Sequence, residues 1–250
     1  MAREPDTSAL SDDAGRQRAA WRAFPLRLFL SLATLDTLLV LAYFALIALG
    51  RGETAFFAIF NLDKEGNLPS WYAGMQLFII AVGYFVLGSR LVPDRRRTAL
   101  LRPLWLVLGL GFTVLSADEI SGFHERMGRT LWRMKVFNIR FTDQWMVVYI
   151  LIAAVLALLL GKQLLRVWRE WRFEAMLFLL GFGVLASGAF LAEVAQIYRK
   201  WQGFSHLLEI GLEEWLEMFG ATILILPAYR ILSTVMSSDP DPEADAVRAD

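Results

Sequence analysis

The amino-acid sequence predicts an all-α protein, a polytopic membrane bundle of about six transmembrane helices. Hydrophobic residues make up 56% of the 250 residues, whereas soluble domains contain about 45–50%. The charged residues are clumped between long uncharged runs, and most of these runs approach the roughly 20 residues that cross a bilayer. The chain has no cysteine, which excludes disulfides and cysteine-ligated metal sites, and its formal net charge of zero gives no indication of a nucleic-acid partner.

Three segments follow one another along the chain. Residues 1–25 are polar and of mixed charge, and we expect them to form a cytoplasmic N-terminal segment without the early apolar core of a cleavable signal peptide. Residues 26–233 are expected to form the transmembrane domain, and residues 234–250 an acidic, disordered C-terminal tail. The six predicted spans cover residues 26–50, 71–92, 100–117, 145–165, 175–198 and 206–232.

Each of the first four spans contains a long apolar run. The first run begins near Pro25 and contains one acid, Asp36, for which we expect a hydrogen bond to a neighbouring helix. Trp71 and Trp145 begin the second and fourth spans, where indole side chains favour the membrane interface. The third run ends in LSADEISGFHERM at residues 115–127.

The last two spans have distinctive compositions. The fifth contains small residues that allow helices to approach closely: Gly181, Gly183, Ser187, Gly188 and Ala192. The apolar run of the sixth span, Trp215 to Tyr229, has only 15 residues and measures about 22 Å. Glu217 is the one charged residue within it. Because about 30 Å is needed, extending this helix backwards brings Glu213 and Glu214 to membrane depth.

The distribution of lysine and arginine predicts the orientation. Sixteen of these residues lie on the side of the termini and nine on the other, so the positive-inside rule places both termini in the cytoplasm. The third loop is an exception, since it is outside and yet basic.

With this orientation, acidic and histidine side chains from distant segments meet at the outer face. The candidate site residues are Asp118, Glu119, His124, Glu125, Glu213, Glu214 and Glu217, with Glu65, Glu193, His206 and Glu209 in support. Asp118 and Glu125 are seven residues apart, which is a difference of about 20° around a helix. Glu209, Glu213 and Glu217 form a row at i, i+4 and i+8. We expect these stripes to face the inside of the bundle.

The first hypothesis is a site for a divalent cation, with the seven candidates as ligands. Carboxylate and imidazole ligands suit zinc, iron or manganese. Glu119 and His124 are about 140° apart on a helix, so they need a bend, which Gly122 could supply, to reach one ion. Whether such a site performs metal-dependent chemistry, and so whether the protein is an enzyme, stays open. The lipid bilayer is the partner that the sequence identifies, and no protein partner is indicated.

Two alternatives stay open beside the metal site. Arg126, Arg129 and Arg133 follow the third span at once and could pair with the glutamates, which would make the protein a structural or assembly protein. Crowded carboxylates in a membrane can also carry protons, which would suit a proton- or cation-coupled transporter. Against transport, the acids lie at one face and no internal repeat is visible.

Three segments together resemble an uncharacterised family of bacterial multi-pass inner-membrane proteins. The segments are FNLDKEGNLPSWYAG, LSADEISGFHERMG and LEEWLEMFGA. They match an acidic loop ending in Leu-Pro-Ser/Thr-Trp, an Asp-Glu…His-Glu stretch and a Glu-Glu…Glu-Met-x-Gly stretch. The positions matched are Glu65, Pro69, Trp71, Asp118, Glu119, His124, Glu125, Glu213, Glu214, Glu217 and Gly220. The resemblance implies location in a bacterial inner membrane and implies no activity.

Overall fold

The computed structural model describes the backbone of residues 7–52, 54–89, 100–137, 144–198 and 204–236. It describes the side chains of residues 25–52, 54–89, 100–137, 144–190 and 205–236. Within these ranges the secondary structure is helical, without a β-strand. The helices are α1 (Thr7–Ala48), α2 (Ala55–Phe60), α3 (Leu68–Gly88), α4 (Arg102–Ser121), α5 (Phe123–Met134), α6 (Trp145–Leu159), α7 (Gly161–Glu170), α8 (Arg172–Tyr198) and α9 (Phe204–Met236).

The helices confirm the all-α fold and a multi-pass membrane protein. Five stretches are long and apolar enough to cross a bilayer: Pro25–Ala48, Leu68–Gly88, Arg102–Ser121, Arg172–Phe190 and Ser205–Met236. A sixth span results if α6 and α7 are counted together. The first three residues of the predicted tail, 234–236, continue α9, and the remaining residues of the tail lie outside the described part of the chain.

The fourth span differs from the continuous helix that the sequence predicts. The chain bends by 73° between α6 and α7. Along α7, Lys162, Arg166 and Arg169 share one face, while Leu164 and Trp168 lie on the other. Such a basic amphipathic helix is typical of the membrane interface, and the bend at Leu160 separates it from the apolar α6.

The core lies between α3, α4 and α9. Tyr84 of α3 stacks on Trp105 and Phe112 of α4, with ring centroids 5.7 and 5.9 Å apart. The Ser116 hydroxyl donates a hydrogen bond of 2.7 Å to the Gly74 carbonyl. These contacts hold α3 and α4 together, and α4 carries the first two candidate acids.

Asp36 forms the interhelical hydrogen bonds that the sequence predicts. It is fully buried, and its carboxylate accepts hydrogen bonds from Tyr72 (2.8 Å) and Gln76 (3.0 Å) of α3 and from Thr222 (2.8 Å) of α9. Because a polar group in hydrocarbon must be satisfied within the protein, this network fastens α1 to α3 and α9.

Helices α8 and α9 approach closely where the fifth span contains small residues. A Cβ atom added at Gly188 would lie 2.7 Å from the Glu213 backbone oxygen and 2.8 Å from Cγ of Glu217. A larger residue at this position would therefore force the two helices apart. The glycine brings α8 alongside the acidic row of α9.

Candidate functional site

The site begins at the break between α4 and α5. Gly122 adopts a left-handed conformation (φ 61°, ψ 37°) that ends α4 and begins α5. Across this break His124 meets Asp118, whose Oδ1 accepts the His124 backbone N–H at 2.6 Å and lies 3.3 Å from the His124 Nδ1. The Tyr149 hydroxyl of α6 donates to the other oxygen, Oδ2, at 2.6 Å.

The break also separates two residues that the sequence places on one stripe. Asp118 is 6% exposed, whereas the Glu125 side chain is 53% exposed and pairs with Arg129 at 2.8 Å on its own helix. The 20° estimate assumed one continuous helix and was wrong because the backbone breaks at Gly122. Glu125 consequently lies outside the group around Asp118.

Glu65 reaches His124 from the loop between α2 and α3. Its Oε1 lies 3.9 Å from the His124 Nε2, and its Oε2 is buried without a hydrogen-bond partner. Asn67 shapes this loop by capping α3, since its side chain accepts the Ser70 N–H at 3.2 Å. Burial raises the pKa of Glu65 to about 7, although the nearby His124 opposes the rise.

The imidazole of His124 lies between carboxylates on both sides. Burial lowers the pKa of His124, but the hydrogen bond to Asp118 and the negative charges of Asp118, Glu65 and Glu119 outweigh it. The pKa is therefore raised above its usual value, which favours the protonated ring. A protonated imidazole balances part of the negative charge of its neighbours.

A cavity of about 650 Å³ opens beside this group. It is bordered by α4, α6, α8 and α9, with Ala73 and Leu77 of α3 behind it. Its polar end is formed by Asp118, Glu119, His124, Tyr149, Glu213 and Glu217. The rest of the wall is apolar. The volume lies within the roughly 300–1,000 Å³ range of small-molecule sites in proteins.

The cavity has a polar end and an apolar end along the direction of the helices. On α4 its lining runs from Val107 to Asp118, and on α6 from Leu156 to Trp145. Eleven residues at 1.5 Å each correspond to about 16 Å. This depth is about half of the roughly 30 Å hydrocarbon core, so the cavity is about one leaflet deep.

The cavity also opens sideways, between α4 and α6. Leu110 of α4 and Ile150 of α6 line it and are nevertheless 60% and 57% exposed. Helix α6 is buried only at Trp145 and Met146, and its remaining residues are at least partly exposed. An apolar molecule in the surrounding bilayer could therefore enter between the two helices.

The other predicted site residues lie away from the cavity wall. Glu214 neighbours Glu213 but does not line it, and Glu209 pairs with His206 at 3.4 Å. The Glu193 side chain lies outside the described residues. Arg129 pairs with Glu125 and not with the glutamates of α9. Among the described ion pairs, none joins Arg126 or Arg133 to an acid, so the arginine-paired alternative gains no support.

The metal hypothesis gains no geometric support either. In the described part of the chain, no three side chains of histidine, aspartate or glutamate come together in an arrangement that could hold a metal ion. Gly122 supplies the bend that a shared ion would need. The bend, however, directs His124 towards Asp118 and Glu65.

Sequence reasoning missed the aromatic part of the site. The Trp145 ring lies 4.8 Å from the His124 ring, 5.4 Å from Tyr149 and 5.5 Å from Phe190. Trp145 was interpreted only as an interface residue. The signal that could have found Tyr149 is its spacing of four residues from Trp145, which places both on one face of α6.

Comparison with known proteins identifies a family. A family model described as a domain of unknown function (DUF8692) matches residues 27–231. No curated protein and no solved structure matches the chain.

Proposed function

The chain belongs to the family described as a domain of unknown function (DUF8692), and we propose that it binds an amphiphilic molecule drawn from one leaflet of a bilayer. The apolar part of this molecule occupies the cavity between α4 and α6. Its polar head lies at the end formed by Asp118, Glu119, His124, Glu213 and Glu217.

One observation carries this proposal, the division of a single cavity into an apolar body and a polar end. A site for a fully polar solute would carry polar groups along its length, and a site for a hydrocarbon would lack the carboxylates. The sideways opening at Leu110 and Ile150 supports entry from lipid. The depth of about 16 Å fits a chain from one leaflet.

The proposal includes a location. The excess of lysine and arginine on the side of the termini supports cytoplasmic termini, and the resemblance of three segments to bacterial inner-membrane proteins supports that membrane. The polar end of the cavity then faces the periplasm, and the ligand comes from the outer leaflet.

Two glycines allow a test with a matched control. A Cβ atom added at Gly111 or at Gly183 meets no atom within 4 Å, but only Gly111 lines the cavity. Native mass spectrometry of the detergent-purified protein should show a co-purified amphiphile as an added mass. Gly111→Phe should remove this mass by filling the cavity, and Gly183→Phe should retain it. Equal retention, or no added mass in the wild type after purification in a mild detergent, would count against the proposal.

A divalent cation at the acidic end is the second candidate ligand. No described lysine or arginine forms an ion pair with Glu119, Glu214 or Glu217. Buried carboxylates without a basic partner must bind protons or a cation. A bound cation is therefore one of the two ways to neutralise these acids, although the described residues contain no metal-like arrangement.

Elemental analysis tests the second candidate. Metal present at one ion per chain in the wild type, and lost in both Glu213→Ala and His124→Ala, would support a resident cation. Absence of metal in the wild type after purification without chelators would refute it. The added mass in native spectra is independent of this result, so the two candidates are distinguished.

A further inference from the structure

We propose that the head of the bound amphiphile is a cationic amine, so that the ligand is a long-chain ammonium compound or an amine-bearing lipid. This inference rests on the proposed function and specifies the class of ligand. The juxtaposition that carries it is a wall of aromatic rings and carboxylates at one end of an otherwise apolar cavity.

The acidic residues of the cavity lining favour a ligand whose head group is positively charged. Asp118, Glu119, Glu213 and Glu217 line the polar end. No described lysine or arginine lines the cavity, and His124 is its single basic group. His124 is already engaged by Asp118 and Glu65. Among the described lining residues, an anionic head would meet several carboxylates and no lysine or arginine, whereas an ammonium group would be attracted.

The aromatic rings are an independent observation that points to the same class. Trp145, Tyr149 and Phe190 line the polar end beside the acids, with Trp145 5.4 Å from Tyr149 and 5.5 Å from Phe190. Aromatic faces attract cations through the ring quadrupole, and cages of such rings recognise ammonium ligands. A metal ion would gain less from these rings, because it prefers oxygen or nitrogen ligands.

The length of the cavity requires the amine to be carried on a long apolar chain. Below the polar end, the lining continues over aliphatic residues as far as Val107 and Leu156. A small amine would leave this apolar surface uncovered and gain nothing from it. A long chain covers this surface and places the head at the polar end, so the chain positions the ligand and the head provides selectivity.

A series of probes with one chain and different heads tests the inference. Hexadecylamine, hexadecanol and hexadecanoate, each with a diazirine in the middle of the chain, are crosslinked to the purified protein. Labelling is quantified by intact mass and mapped to peptides of α4 and α6. We expect the amine to half-saturate labelling at about tenfold lower concentration than the alcohol, as a charge-assisted contact requires. We expect the acid to label least.

Two variants separate the head from the chain. Glu217→Gln should weaken amine labelling several-fold and leave alcohol labelling unchanged, which also reports that the cavity is intact. Glu125→Gln removes an equal charge from an exposed residue outside the cavity and should change neither. If Glu217→Gln does not fold, Phe190→Leu should weaken the amine selectively through the aromatic wall.

The labelling results distinguish an error about the cationic head from an error about the cavity itself. Equal labelling by amine and alcohol would overturn the cationic head and leave the amphiphile cavity in place. Absence of labelling in α4 and α6 by every probe would overturn the cavity as well. A phosphatidylethanolamine probe separates the two sources of an amine: labelling by it assigns an amine-bearing membrane lipid, and its failure beside a successful hexadecylamine assigns a free long-chain amine.

Discussion

Substitution of Gly122 by alanine should destabilise the protein through two effects, backbone strain and a collision with Glu65, which can be measured separately. Gly122 has φ 61°, where a residue with a Cβ atom pays about 1–2 kcal/mol. A Cβ atom there would also collide with Oε2 of Glu65 and lie 3.1 Å from its Cδ. The side chain of Glu65 must move away, and its contact with His124 is lost. We expect Gly122→Ala to lower the free energy of unfolding by about 2–3 kcal/mol, strain and collision together.

Gly66 separates the strain from the collision. It has φ 76°, and a Cβ atom there meets nothing within 4 Å. Gly66→Ala should therefore cost only the backbone strain, about 1–2 kcal/mol. Thermal or denaturant unfolding in detergent measures both variants. In a Glu65→Ala background the cost of Gly122→Ala should fall to that of Gly66→Ala. An unchanged cost in that background would refute the assigned contact between Gly122 and Glu65.

Two further predictions concern buried ionisable groups. Folding raises the pKa of Glu65 from 4.5 to about 7 and also raises the pKa of His124. The stability that these groups contribute is therefore complete when the pH is below their pKa values in the unfolded chain. It is lost as the pH rises through their pKa values in the folded protein. The free energy of unfolding should therefore fall from pH 5 to pH 8, by up to about 3 kcal/mol from Glu65, and the melting temperature should fall with it. Glu65→Gln should flatten this profile, and an equally steep profile would contradict the assignment. Asp36→Ala leaves the buried Thr222 hydroxyl without its acceptor and removes one acceptor each from Tyr72 and Gln76, so it should cost about 2–4 kcal/mol. Asp36→Asn, which keeps one acceptor, should cost less; equal costs in unfolding experiments would contradict the network.

The fold was predictable because a bilayer imposes simple requirements on the sequence. Apolar runs must be long enough to cross it, and a polar residue such as Asp36 must find partners on other helices. The small residues of the fifth span predicted close packing, and the approach of Gly188 to α9 agrees with this. These features follow from local composition and need no knowledge of tertiary contacts.

The site was less predictable because it depends on one backbone angle and on the spacing between helices. Helical periodicity placed Asp118 with Glu125, and the left-handed Gly122 separated them. Nothing in the sequence indicates that α6 is separated from α4 and α8 by a cavity. Tyr149 was missed because its hydrogen bond to Asp118 joins two helices whose arrangement the sequence does not indicate.

The electrostatic balance of the site was also beyond the sequence. Arg126, Arg129 and Arg133 are close to the acids along the chain, but α5 directs Arg129 towards Glu125. Proximity in sequence does not determine which charges meet once a helix has ended and another has begun.

The central claim is that the gap between α4 and α6 is a ligand site with its polar end at Asp118. A cryo-electron microscopy map of the protein in lipid nanodiscs, with an antibody fragment to aid alignment, tests it most directly. We predict elongated non-protein density about 16 Å long between the two helices, with its head beside Trp145 and Glu217, which disappears in Gly111→Phe and persists in Gly183→Phe. A map in which α6 closes onto α4 and leaves no space between them would contradict the account.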